Sequence, residues 1–370
     1  MKSHELYVMK RPLARQQGLS LVELMISMTI GMFLLLGLGT LLMANSETSQ
    51  ELNKAGNQIE NGRYGIQVLT DDIRLAGFLG TYKAPGVPGT WTTPDPCATA
   101  LANLGFDTTV SPVVVPVAIH GYAGGSALPA SCATAVTNRD SGTAVLVVRR
   151  VSTTPIAPSA IPAGGSSYLQ VTNCPDITLD PKPFVIDTDT SKFTLMQNDC
   201  IAANVAPARQ YLVHIYYVST CSDCGNDTIP TLKIVEFNKG ALTTTSLVEG
   251  IQNMQLDYGI DMDGDGAVDC YTSNPTSPPA TEIDVAVCPQ PAPAYVWTDA
   301  IANWSNVMAV RVNLLARSLE TTPYWVDSRT YNMGLTSAIT TPVAANDAYK
   351  RHVYSSVARL YNISGQRETE

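Results

Sequence analysis

The sequence predicts an α+β fold in which one long N-terminal helix packs on an antiparallel β-sheet head with long disulfide-bonded loops. Three observations predict it. Leu19 to Met43 is an unbroken apolar run of 25 residues. The more polar residues after it keep a helical spacing of apolar positions as far as Gly77. Beyond Gly77 the helical period stops, and short alternating stretches are separated by loops rich in Pro, Gly and Ser, with all eight cysteines among them.

The apolar run would make about 37 Å of helix, enough to span a bilayer. It exceeds the apolar region of a secretory signal, and no A-x-A cleavage site closes it, so it is expected to stay on the mature chain. Its only ionisable group is Glu23. A carboxylate in a transmembrane helix costs on the order of 3 kcal/mol at the centre and less near an end. Either Glu23 lies close enough to the membrane surface to reach water, or the chain is cut after Gly18. In the second case Leu19 gains a free amine four residues from Glu23 on the same helix face, and the carboxylate neutralises that amine or a neighbouring chain's.

Lys2, Lys10, Arg11 and Arg15 against Glu5 give the segment before the run a charge of +3; its removal takes the formal charge from −9 to −12. Cations on this side place the N-terminus in the cytoplasm and everything after Met43 across the membrane. The acidic remainder has no basic stripe for nucleic acid. The basic leader, Gly18 and then Leu19-Ser20-Leu21-Val22-Glu23-Leu24-Met25 resemble the processing site of type IV prepilins and type II secretion pseudopilins. The resemblance implies cleavage after Gly18 by a prepilin peptidase, N-methylation of Leu19 where phenylalanine is commoner, and docking of Glu23 onto another subunit's N-terminus. The implied organisation is a leader (1–18), the transmembrane half of a helix (19–43), its amphipathic half (44–77) and a β-rich head (78–370). The protein would sit in the bacterial inner membrane as a single-pass chain with a periplasmic head, and then in a pilus.

From Ala44 the expected buried stripe is Leu52, Ala55, Ile59, Gly62, Ile66, Leu69, Ile73 and Ala76, with Gly77 as the C′ stop. Gly31, Gly37 and Gly39 are soft spots of the membrane half, each disfavoured by about 1 kcal/mol relative to alanine. Candidate strands are Thr143 to Val151, Tyr211 to Val218, Leu232 to Phe237, Ile251 to Ile260, Val307 to Ala316 and Arg351 to Tyr361. Met254, Leu256, Tyr258 and Ile260 alternate, as do Met308, Val310, Val312 and Leu314, and the two strands are expected in one sheet. Ala84 to Pro96, Thr153 to Ser167 and Pro275 to Pro293 read as surface loops, and no repeat or linker forces a second head domain.

Val248-Glu249-Gly250-Ile251-Gln252-Asn253-Met254, then Leu256-Asp257-Tyr258-Gly259-Ile260-Asp261, Trp304-Ser305-Asn306-Val307 and Val310-Arg311-Val312 resemble the PilW minor pilins, relatives of the J-type pseudopilins. The loops between Tyr82 and Thr231 carry no such resemblance. The resemblance implies a low-abundance subunit that helps start pilus assembly and sits in a tip complex with other minor pilins and the major pilin. A J-type minor pseudopilin of type II secretion is the near alternative; a tip-borne, adhesin-like binding module is a further one.

Cys97, Cys132, Cys174, Cys200, Cys221, Cys224, Cys270 and Cys288 all follow the membrane segment, and an even count there reads as disulfides in an oxidising periplasm. Short loops close most easily, so sequence neighbours are expected to pair: Cys97 with Cys132, Cys174 with Cys200, Cys221 with Cys224, Cys270 with Cys288. Cys221-Ser222-Asp223-Cys224 has no second pair at zinc-ribbon spacing and no strand-helix context for a redox dithiol.

Asp261, Asp263, Asp265 and Asp269 stand at positions 1, 3, 5 and 9 of an EF-hand-like loop with Gly266 at position 6 and the Ala267 carbonyl as a further donor. Thr272 replaces the bidentate glutamate of position 12, so the loop is either a weak structural calcium site or a solvated acidic turn. After the leader only His120, His214 and His352 remain, with no G-x-S-x-G, H-E-x-x-H or P-loop motif. A membrane-anchored enzyme is therefore the reading with least support, and His214 is expected to be a packed or surface residue rather than a base.

Overall fold

The computed structural model describes residues 18, 20–84, 90–339 and 347–368. The leader before Gly18, and Leu19, lie outside the described residues. The chain divides into two compact units, Met1–Asn53 and Lys54–Glu370. Helix α1, Leu21–Leu75, supplies residues to both.

Within the first unit, α1 exposes its leucines, methionines and Phe33, and this stretch is apolar enough to cross a membrane. Its hydroxyl side chains bond to the helix's own carbonyls: Ser27 to Leu24 O, Thr29 to Met25 O and Ile26 O, Thr40 to Gly37 O. Those groups therefore carry no unmet hydrogen bond into lipid.

In the second unit the buried face of α1 is Gln58, Gly62, Gly65, Leu69, Thr70, Asp72 and Ile73, followed by Ala76. The expected stripe holds at Gly62, Leu69, Ile73 and Ala76, but Leu52 and Ile59 are exposed and the polar Gln58, Thr70 and Asp72 join the buried face. Close approach explains the two glycines. A Cβ on Gly62 would lie 2.1 Å from Tyr354 Cε2, and one on Gly65 would lie 3.1 Å from Leu314 Cδ1. Glycine at both positions lets the helix backbone rest on the sheet. Gln58 extends the same face by donating to Ala316 O and Lys350 O. Gly77 ends the helix as expected, at φ +73°.

The head strands are β1 (Trp91–Thr92), β2 (Val115–Pro116), β3 (Ile119–Tyr122), β4 (Val145–Val151), β5 (Tyr168–Val171), β6 (Phe184–Asp187), β7 (Ala208–Ser219), β8 (Thr231–Asn238) and β9 (Ala241–Glu249), then β10 (Ile251–Ile260), β11 (Cys270–Thr272), β12 (Val307–Arg317), β13 (Tyr331–Met333), β14 (Thr336–Ile339) and β15 (Arg351–Arg359). A seven-stranded antiparallel sheet runs β3-β4-β7-β5-β6, and β8 joins β7 to β9. A four-stranded antiparallel sheet runs β11-β10-β12-β15. β1 and β2 pair in parallel, and β13 and β14 form a hairpin.

The expected partnership of β10 and β12 is present, with Met254 opposite Leu314, Leu256 opposite Val312 and Tyr258 opposite Val310. These cross-strand apolar pairs, all buried, join Leu69 and Ile73 of α1 and the β4 and β7 side chains in one continuous core. The last candidate strand ends early, at Arg359. Leu360 is buried and closes the ladder by donating to Met308 O, and α3 (Tyr361–Arg367) begins where a strand was expected to continue. A second short helix, α2 (Ala300–Ser305), is capped by the Asp299 carboxylate and leads directly into β12.

Candidate functional site

The processing and assembly residues lie at the start of α1. Gly18 is exposed. Glu23 sits in the first helical turn, where its carboxylate accepts from Ser20 N–H at 3.2 Å. A carboxylate here meets both an unpaired N-terminal N–H and the positive end of the helix dipole, so the same position suits it to a nearby α-amino group.

At the other end of α1, the head is fastened by a buried polar group that sequence periodicity did not reveal. Asp72 accepts from Arg150 Nε at 2.7 Å through Oδ1; through Oδ2 it meets His214 Nδ1 at 2.7 Å and the Tyr216 hydroxyl at 2.9 Å. Glu236 Oε1 lies 3.4 Å from the opposite ring nitrogen, His214 Nε2. Burial pushes the Asp72 carboxyl up, but the bonds and charges of His214 and Arg150 outweigh it and hold the group below its ordinary range. Burial, the charge of Asp72 and the bond to it drive the Tyr216 phenol far above its ordinary range, so it remains a donor. α1, β4 and β7 thus meet at one carboxylate, and β8 joins the group through Glu236 and His214. His214 is a packed residue in this group.

Disulfides join Cys97 to Cys132, Cys174 to Cys200, Cys221 to Cys224 and Cys270 to Cys288, with sequence separations of 35, 26, 3 and 18. The three longer bridges close long connections of the head, each worth about 3–4 kcal/mol through loss of unfolded-chain entropy. Asp95 Oδ1 accepts from Cys97 N–H beside the first bridge, whose sulfurs are consumed and unavailable to a metal.

The acidic loop leaves β10 as expected. Carboxylate oxygens of Asp261, Asp263 and Asp265 lie within 4.8 Å of one another. Asp263 and Asp265 are exposed, but Asp261 is buried and already engaged: Arg367 Nη1 lies 2.9 Å from Oδ2, and the N–H groups of Gly264 and Gly266 donate to its two oxygens. Asp269 Oδ2 accepts from Met262 N–H, and Asp265 Oδ1 from Ala267 N–H. Thr272 gives its hydroxyl to Glu282 Oε2 in a separate cluster. The carboxylates that converge therefore fit a hard cation only where Arg367 releases Asp261.

Comparison with known proteins defines the class. Residues 13–39 match the prokaryotic N-terminal methylation motif, which together with the long apolar helix and antiparallel head makes this a protein of the type IV pilin superfamily. Residues 215–362 match the family of the type IV pilus-assembly protein W, and the chain is PilW-like within that superfamily, a minor pilin of a type IV pilus. A type IV-like pilin from Thermus thermophilus aligns over 41% of this chain and 79% of its own length, at 15% identity and a TM-score of 0.19. No curated protein sequence matches the chain. The PilW match spans β7 to α3, the part that carries the β10–β12 pair and the Asp261 loop.

Proposed function

We propose that this minor pilin takes part in starting pilus assembly and resides in the complex at the pilus tip. The observation that carries the reading is the presence, in one chain, of the methylation motif at residues 13–39 and the PilW match at residues 215–362. A prepilin peptidase cuts after Gly18, Leu19 becomes the methylated N-terminus, and Glu23 docks on the N-terminus of a neighbouring minor or major pilin. The apolar part of α1 holds the subunit in the inner membrane, with the head in the periplasm, until assembly. Its partners are the other minor pilins, the major pilin and any adhesin carried at the tip. Deleting the gene and complementing it in trans tests this: loss and restoration of surface pili, with the subunit recovered in sheared filaments far below the major pilin, is expected. Normal piliation with a defect in protein secretion would instead assign it to a type II system.

For the Asp261 to Asp269 loop the reading is a weak structural calcium site. Convergence of three carboxylates supports it, and the Arg367 bridge to Asp261 sets its cost, since the ion must displace a guanidinium. Such an ion would brace the link between β10 and the Cys270–Cys288 loop.

A further inference from the structure

We infer that the head holds a small inorganic monoanion, of the chloride type, between Arg149 and Tyr211 on the face of the seven-stranded sheet turned away from α1. The register places the residues there. Arg150 reaches Asp72 of α1, so its neighbour Arg149 projects to the opposite face. Arg149 is opposite Val213, and Val151 is opposite Tyr211, which puts Arg149 and Tyr211 on one face as diagonal neighbours. His120, opposite Val147, shares that face one strand further along.

Arg149 is 2% exposed and Tyr211 is 1% exposed. The segment before Cys97 and the Phe106 ring cover them: Arg149 Nη2 donates to Pro94 O at 2.8 Å, and Phe106 stacks edge-on against Tyr211 at 5.1 Å. Yet Arg149 Nη1 and the Tyr211 hydroxyl are both buried with no hydrogen-bond partner. Among the described residues no carboxylate forms an ion pair with this guanidinium. Asp95, one residue beyond Pro94, is exposed and spends its oxygens on Cys97 N–H and the Ser131 hydroxyl. A guanidinium buried with no carboxylate bound to it, and only the charge of exposed Asp95 within reach, is costly, and a buried unpaired donor adds to that cost.

The donor set selects the ligand. Burial drives the Tyr211 phenol well above its ordinary range, so it stays a donor. His120, also with an unpaired Nδ1, is pushed down to about 3 by burial and by the Arg149 charge, so it adds no second cation. One positive charge and two unpaired donors on neighbouring positions of one face match a single small negative charge. A carboxylate-bearing metabolite or a sulfate would bring acceptors that these strands do not answer.

The test uses the full-length chain in non-ionic detergent, with thermal unfolding followed in sodium chloride, sodium bromide and sodium gluconate at equal ionic strength. Saturable stabilisation by chloride and bromide but not gluconate is expected, about 2 °C at tenfold excess over the dissociation constant. It should vanish in Arg149→Met and weaken in Tyr211→Phe. Identical melting in all three salts would overturn the assignment. Should the Arg149 variant fail to fold, bromide-soaked crystals decide independently: an anomalous peak between Arg149 Nη1 and the Tyr211 hydroxyl supports the site, and an ordered water there overturns it.

Discussion

Removing the Asp72 carboxylate should loosen the head more than any other single change at the helix–sheet junction. In Asp72→Ala the variant leaves Arg150, His214 and Tyr216 facing a cavity at bonds that now measure 2.7, 2.7 and 2.9 Å. Breaking a buried charge pair by deleting one partner costs about 3–5 kcal/mol. For a head of this size that corresponds to a fall in melting temperature of about 5–8 °C, read by differential scanning fluorimetry on the full-length chain in detergent. Acid sensitivity supplies a second readout. Asp72 is held below its ordinary value of 3.8 when folded, so the unfolded chain binds more protons between that value and the lower folded one. Its contribution is complete above the ordinary carboxylate range and is lost as pH falls through the folded value. Asp72→Ala should therefore be less stable at neutral pH and should lose less stability on acidification than the wild-type chain. A melting temperature within about 1 °C of wild type, with an unchanged acid profile, would refute the idea that this carboxylate fastens α1 to the sheet.

Four further outcomes are expected. Gly18→Val should block peptidase cleavage and leave the 18-residue leader on the chain, seen as unprocessed precursor by mass spectrometry, because only a small residue allows close approach at the cut. Glu23→Ala should insert into the membrane and be cleaved normally while its recovery in filaments falls; undiminished recovery would remove the docking role. Gly62→Ala should destabilise the head by about 1–3 kcal/mol, since the new methyl would sit 2.1 Å from the Tyr354 ring, and Tyr354→Ala should relieve it in the double variant. Calcium should raise the melting temperature of the full-length chain relative to chelator, magnesium should not, and Asp263→Ala with Asp265→Ala should abolish the rise; equal melting in calcium and chelator would reduce the loop to an acidic turn.

Much of the fold was legible because burial leaves a period in the sequence. β10 and β12 alternate cleanly, so their pairing in one sheet could be read directly. The stop at Gly77 was legible for the same kind of local reason. The buried face of α1 was legible at Gly62, Leu69, Ile73 and Ala76, but not at Gln58, Gly65, Thr70 and Asp72. Gly65 buries backbone and the three polar side chains bury hydrogen bonds, and neither leaves an apolar signal. β9, Ala241–Glu249, was missed because its threonine-rich residues are mostly exposed and carry no alternation. The continuation of β15 failed at Leu360, where an apolar residue that fits a strand instead anchors the start of α3.

Site residues divide along similar lines. Gly18, Glu23 and the Asp261 loop could be named because their chemistry depends on spacing along the chain. Asp72 with Arg150 and His214, and Arg149 with Tyr211, are distant in sequence and are brought together only by strand register. The acidic loop illustrates the limit of spacing: it placed Asp261, Asp263 and Asp265 together but gave no hint that Arg367, 106 residues from Asp261, would already hold it.

The most direct test of the account is the intact mass of this chain recovered from sheared pili. A processed chain beginning at N-methylated Leu19, present far below the abundance of the major pilin, is the predicted result. Absence from purified filaments that still assemble normally without it, or presence with the leader attached, would contradict the account.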